Sequence, residues 1–424
     1  MTALRASVVV VSRNRPERLS LCLGALAQLR HDAFEIIVVA DPDALAVVDT
    51  SVVKIAVPFD VPNVAAARNL GVGYAAGEII VFIDDDAVAE PYWLTHLMAP
   101  FADARVAAAG GYVVGRNGIS LQWAGLSVDA RGADWDLPSE SDETVVLARE
   151  AGGRAIRTQG TNMAVRRDVL VALGGFDESF TFFHDDTDLN MRIAVAGYLT
   201  AVVPRARVHH AVCQNILRRA DRGPTDLFQI GFSSAIFHKK HLPEREWAAA
   251  REDLAERQHR RLAAYLVDGR IEPRDVARMS RRLLSGYDAG LLSSAARQQP
   301  IPPQPNDFRA SAVPPPQAPG CWLAGPQRDR AGLREEAKAL AGDGQRPVLF
   351  LFSRTALFHQ MRFRQGRYWE QSGGVYGKSD RSDPLMGFYT FQTRLKREIG
   401  RVSVFNGRLI AAEDSYPETQ KPGI

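Results

Sequence analysis

Cysteine is scarce: the 424 residues hold three, Cys22, Cys213 and Cys321. An odd, widely spaced set makes neither a disulfide framework nor a CxxC metal knuckle, so a reducing, cytoplasmic compartment is expected. Long apolar runs are also missing, and nothing approaches the roughly 18 residues that a membrane-spanning helix needs. The opening MTALRASVVVVSRNRP carries only the short run Val8 to Val11, far below a signal-peptide core. Charge of one sign is absent too: 52 Lys and Arg stand against 49 Asp and Glu, a net +3. That balance gives no whole-chain case for nucleic acid as a partner and leaves only peripheral contact with the inner face of a membrane open. Finally, Ser12-Arg13-Asn14-Arg15-Pro16 after the first apolar run contains no glycine. This argues against a dinucleotide-dependent dehydrogenase and against a sugar nucleotidyltransferase, both of which need a glycine-rich phosphate loop there.

What is present is the composition of a soluble globular protein, 46% hydrophobic and 24% charged, with length for two or three domains. Residues 1–215 alternate β-branched runs (SVVVVS, EIIVVA, Val52 to Val57, EIIVFI) with helical stretches from Pro16 and from Asn63. This rhythm predicts an α/β domain with a mostly parallel sheet. Residues 216–298 become rich in Arg, Glu, Ala and Leu at helical spacing, which predicts an α-helical extension. Nine of the 24 prolines fall between Pro300 and Pro326, predicting an extended linker over 299–327. Residues 328–424 are then a small C-terminal module with a strand-like run from Pro347 to Phe352 and a frayed end, SYPETQKPGI.

The chemistry is concentrated in a few places. Phe82-Ile83-Asp84-Asp85-Asp86 sets three carboxylates at the carboxyl end of a buried strand, where open α/β sheets bind ligands. In extended backbone Asp84 and Asp86 point the same way, a pair suited to Mg²⁺ or Mn²⁺ completed by phosphate oxygens; the bland alternative is an acidic loop capping the next helix. Arg68, one element earlier, is either a solvated cation or a contact to a diphosphate. Asp185 and Asp186 fall at the start of a helix whose dipole favours carboxylates in any case, and either one is a candidate general base. Asp188 and Arg192, four apart, read as a helix ion pair. His209 and His210 end a strand-like run, and either can offer a nitrogen to a metal or be structural.

The ordered set VVVVSRNRPERL, IIVVADPDA, ARNLGVGYAAGEIIVFIDDDA, GTNMAVRRDVLVALGGFDESFTFFHDDTDLNMRIAVAGY and His209-His210 resembles the family 2 glycosyltransferases of GT-A fold, over roughly residues 5 to 212. The resemblance implies an inverting transferase that moves a sugar from a nucleotide-diphosphate donor to a glycan, lipid-linked or small-molecule acceptor, using Mn²⁺ or Mg²⁺. It implies that Ser12, Glu17 and Asp41 line the nucleoside pocket, that Arg68 lies at the nucleotide, and that Asp84, Asp85 and Asp86 form the DxD segment with Asp86 as metal ligand. Asp185-Asp186 stand where the family has Glu-Asp, so Asp186 resembles the general base, and His209 or His210 resembles a metal-binding His. The QxxRW motif and membrane helices of processive members are missing, which favours single addition. The rival from a different class is a non-catalytic nucleotide-sugar-binding scaffold.

Overall fold

The computed structural model describes residues 4–412 except 33, 138–145, 149–153, 212–218, 220–222, 295–299, 306, 312–319 and 381. Cys213, the triple proline Pro314 to Pro316 and the SYPETQKPGI end lie outside the described residues.

The expected α/β sheet is present. Its central strand, Ala6–Ser12, pairs in parallel with Phe34–Ala40 on one side and Ile79–Asp84 on the other, and Ile55–Pro58 extends the first side. Beyond Ile79–Asp84, Met163–Arg166 runs antiparallel, followed by Val106–Val114 and Leu199–His210. The central strands read as unbroken apolar runs because both faces are covered, and Phe34–Ala40 is buried at every position. One layer is the helix Pro16–Leu26, whose Leu19, Cys22, Leu23 and Leu26 recur at helical spacing and enter the same core as Val8, Val10, Ile36 and Val38. Truncating a fully buried leucine such as Leu26 to Ala would cost about 2–5 kcal/mol. The other face is covered by Val64–Tyr74 and Asp185–Val195, with Val9, Ile37 and Phe82 beneath them. The third strand differs from expectation: Val52 and Val53 are buried but precede it, packing into the core from a turn.

The helical extension holds Phe228–His241, Trp247–Val267 and Pro273–Leu292 around a core of Leu254, Leu262, Met279, Leu283 and Tyr287. Residues 300–305, four of them proline, and 307–311 form neither helix nor strand, yet they are strapped to the back of the sheet. Arg167 donates to the Pro302 carbonyl at 3.1 Å, Gln304 to Ala76 O at 2.7 Å, Arg309 N–H to the buried Glu35 at 2.9 Å, and Ser311 N–H to Phe34 O at 2.9 Å. The C-terminal module begins earlier than its composition suggested. Gly320–Pro326, inside the stretch assigned to the linker, is a strand of a five-stranded sheet with Pro347–Ser353, Tyr368–Gly374, Gln360–Arg364 and Leu409–Ala411. Its small residues and terminal glycine and proline conceal it from propensity, and pairing with Pro347–Ser353 secures it. All its pairings are parallel except that of Gln360–Arg364 with Tyr368–Gly374.

Candidate active site

The strand Ile79–Asp84 delivers the acidic triplet to the carboxyl edge of the sheet. Asp84 keeps ladder geometry, while Asp85 and Asp86 form a turn that leads into Ala87–Ala89, paired antiparallel with the end of Leu199–His210. In that register His210 faces Ala87 and His209 faces Val88, so the two imidazoles project to opposite sides. Among the described residues, Asp84, Asp86 and His210 each offer one donor atom, and these lie within 4.8 Å of one another. His210 Nε2 is 3.0 Å from Asp86 Oδ1, and Gln122 holds its Nδ1 at 3.1 Å. Two carboxylates and an imidazole that is oriented from behind form a donor set fit for a divalent cation. His209 is not part of it: Nε2 lies 3.0 Å from Glu90, and the ring packs 4.7 Å from Trp369 of the C-terminal module.

Asp85 turns the other way. It is buried, takes a 2.6 Å hydrogen bond from the Ser12 hydroxyl and lies 3.2 Å from Arg15. Burial pushes its carboxyl up to about 7; Arg15 and Ser12 act against burial, while Asp86 and Asp84 add to it. Ser12 is thereby engaged inside the fold. Asp41 caps the short helix Pro42–Leu45 and also accepts from Asn14 N–H at 2.7 Å, which fixes the loop after the first strand. Burial would raise Asp41, but the backbone donors outweigh it and hold the carboxyl below its usual range. Glu17 is exposed in the first turn of Pro16–Leu26.

Arg68 is enclosed rather than solvated. Its guanidinium pairs with Asp185 and reaches Asp84 at 3.1 Å, with the Phe176 ring 5.4 Å away. Burial alone would lower it, but Asp185, Asp84 and Asp186 outweigh that and raise its proton affinity. A Cβ at Gly160 would stand 2.2 Å from the guanidinium, so any side chain there would push Arg68 off its carboxylates. Arg68 thus ties the acidic strand to the helix Asp185–Val195. That helix starts from His184, held at φ 69°, a left-handed conformation costing about 1 kcal/mol. The His184 ring is buried and stacked 4.7 Å from Phe237. Of the acidic pair, Asp185 is buried and its carboxyl is raised, by burial first, with Arg68 opposing and Asp186 assisting. Asp186 is half-buried and accepts from Gly160 N–H at 3.1 Å.

The helix is braced from behind. Fully buried Asp188 meets Arg192 at 2.8 Å, as its spacing predicts, and also Lys240 at 2.8 Å and His241 at 2.9 Å from the helical extension. Burial would raise Asp188; His241, Arg192 and Lys240 overcome it and depress the carboxyl far below its ordinary value. A depressed carboxylate stabilises the fold above the unfolded value of about 3.9, and that contribution fades as pH falls below it. Asp188→Asn should therefore lower stability by about 3–5 kcal/mol in urea unfolding at neutral pH, and the gap to wild type should shrink as pH falls below about 4.

A cleft of about 840 Å³ opens beside Asp85, Asp86 and His210. Arg15, which also reaches Asp86 at 3.4 Å, lies at this near side, and the other walls come from Arg18, from Arg116, and from Arg362 and Phe363 of the C-terminal module. In the sequence Arg362 and Phe363 belong to a run of interleaved arginines and aromatics that reads as an ordinary basic surface or a hold for an anionic acceptor, and nothing there joins them to Arg15, because residues 15 and 362 meet only through the docking of the module. Met361 N–H bonds to Asn117 O at 2.8 Å, and Gln28 to Arg367 O at 2.6 Å, across that junction.

The family model described as "Glycosyltransferase like family 2" matches residues 5–225, just over half of the chain. The chain belongs to this family. The matched span of this family 2 member contains every strand of the large sheet and both acidic segments. Among characterised relatives, it is 28% identical over 296 residues to the O-antigen biosynthesis protein RfbC of Myxococcus xanthus, covering 66% of this chain and 22% of that one. Over 51 residues it is 41% identical to an N-acetylglucosaminyl-diphospho-decaprenol L-rhamnosyltransferase of Mycobacterium tuberculosis, covering 12% and 17%. The chain thus spans about a fifth of the length of these relatives. A solved structure, the mannosyltransferase PcManGT from Pyrobaculum calidifontis with GDP-Man and Mn²⁺, aligns at TM-score 0.40 and 18% identity over 69% of this chain and 88% of that one. Among the described residues no helix is long and apolar enough to cross a membrane.

Proposed function

We propose that the protein is an inverting glycosyltransferase that adds one sugar per event, from a nucleotide-diphosphate sugar to an acceptor hydroxyl, in the synthesis of a surface glycan. The observation that carries this reading is the Arg68 bridge, which sets the Asp84–Asp86–His210 donor set and the Asp185–Asp186 pair on one edge of one sheet. Family membership, and the O-antigen and rhamnosyltransferase names of its relatives, support the same class of chemistry.

Asp186 is assigned as general base. Asp185 is committed to Arg68, whereas Asp186 is half-buried and steadied by Gly160 N–H. The acceptor O–H gives its proton to Asp186 as its oxygen bonds to the anomeric carbon, the bond from that carbon to the phosphate oxygen breaks, and the nucleoside diphosphate leaves with the electron pair. One displacement without a covalent intermediate inverts the anomeric centre. Asp84, Asp86 and His210 would hold a divalent cation that neutralises charge on the leaving diphosphate. Two carboxylates suit Mg²⁺ or Mn²⁺, and the imidazole tilts the choice to Mn²⁺. Arg15, Arg18 and Arg116 line the cleft next to this point and favour anionic substrate groups.

The test is a panel of UDP-, GDP- and dTDP-sugars with Mn²⁺ or Mg²⁺, read by melting temperature and nucleotide release. One nucleotide class should stabilise the protein only with metal, because ligand binding to the folded state raises apparent stability. Proton NMR of a transferred sugar should show the inverted anomer. A folded protein that responds to no donor would move the assignment to the scaffold reading.

A further inference from the structure

Large apolar side chains are exposed together at one edge of the C-terminal module. Leu357, Phe358, Leu385, Met386 and Phe388 are between 53% and 90% exposed. They stand on neighbouring loops at the carboxyl end of Pro347–Ser353 and Tyr368–Gly374. Tyr376 N–H bonds to Thr355 O, Gly374 N–H to Leu357 O, His359 N–H to Lys378 O, and Gly387 N–H to Tyr376 O, all at 2.8–3.1 Å. The loops are closely packed at their base. A Cβ on Gly374 or Gly377 would lie about 2 Å from the Thr355 or Leu357 carbonyl oxygen, and buried His359 bonds to Gly374 O at 2.9 Å and Gln371 at 2.7 Å. The display of these side chains is therefore built into the loops and is no product of fraying.

The electrostatic setting is one-sided. From residue 347 to 412 the sequence has eleven Lys and Arg against four Asp and Glu, although the whole chain is nearly balanced. Three of the four acids are taken up by arginines: Glu370 by Arg334 and Arg364, Asp383 by Arg397, and Glu398 by Arg394 and Arg401. The fourth, Asp380, accepts from Ser382. Arg354 and Lys378 lie on the same loops as the apolar residues.

We propose that this edge docks on an anionic lipid surface, with Leu357, Phe358, Leu385, Met386 and Phe388 entering the interface and Arg354 and Lys378 meeting the headgroups. Apolar tips splayed from neighbouring loops of a module whose cations outnumber its carboxylates complement a negatively charged bilayer better than a folded protein surface. The strand Gln360–Arg364 leaves this edge and carries Arg362 and Phe363 into the catalytic cleft, so docking brings the cleft to on the order of 15 Å from the lipid along an extended backbone.

The experiment is co-sedimentation of the full chain with phosphatidylcholine vesicles, with and without phosphatidylglycerol. Binding should need the anionic lipid and weaken as salt rises. Combining Leu357→Ser, Phe358→Ser and Phe388→Ser should reduce vesicle binding by about tenfold or more without moving the melting temperature. Arg354→Glu with Lys378→Glu should remove the salt-sensitive part and leave the apolar tips intact. The proposal is overturned if wild type binds neither vesicle, or if the serine variant binds as well as wild type. It is equally overturned if light scattering shows a dimer that the serine variant abolishes while vesicles are ignored, since the occupant is then a second copy. None of these readouts depends on sugar transfer.

Discussion

Asp186→Asn should lower the transfer rate by about 10²- to 10⁴-fold at saturating donor and acceptor, the usual worth of a positioned general base. The amide keeps the size of the carboxylate and can still accept from Gly160 N–H, so the start of the helix should hold and donor affinity should change little. The loss should therefore appear in kcat, with KM for the donor near wild type, which is the pattern of an interaction made only in the transition state. Asp185→Asn should behave differently. It removes the nearer of the two carboxylates paired directly with buried Arg68 and leaves Asp84 as its direct partner, so it should cost stability as well as rate. Steady-state kinetics beside thermal melts separate the two, and near-normal turnover by Asp186→Asn would remove that residue from the mechanism.

Asp86→Ala should abolish metal-dependent stabilisation by the donor nucleotide and reduce turnover by at least about 10²-fold, because charge growing on the diphosphate loses its counterweight. The histidines should part company in the same assay. His210→Ala should weaken the metal response, since its Nε2 belongs to the donor set. His209→Ala should leave that response in place and instead loosen the contact with Glu90 and Trp369 that fastens the C-terminal module. If both substitutions abolish the metal response equally, the donor set is misassigned.

Much of this was legible in the sequence because it depends on neighbours along the chain. Continuous β-branched runs announce covered strands, Asp84 and Asp86 share a side by alternation, and Asp188 finds Arg192 one helical turn away. What the sequence withheld depends on partners far along it. Nothing local separates His209 from His210; the choice is made by pairing with Ala87–Ala89, which sets His209 opposite Val88, 121 positions earlier. Arg68 on an otherwise small-residue helix looked solvated until Asp185, 117 residues on, closed over it. Val52 and Val53 illustrate the opposite error, in which apolar residues are read as strand although a turn can bury them equally well. The basic and aromatic character of Arg362 and Phe363 is legible locally, but their place in the wall of this cleft is not, because an entire module must dock to put them there.

The strap from Pro302 to Ser311 bears on how the chain can change by insertion and deletion. Its anchors at Pro302, Gln304, Arg309 and Ser311 meet Arg167, Ala76, Glu35 and Phe34 of the sheet domain in that order. A substitution between them disturbs one contact, whereas an added or lost residue throws every later anchor out of step and takes a donor from buried Glu35. Length variation among descendants of this chain should therefore be rare within the strap, however variable its side chains become.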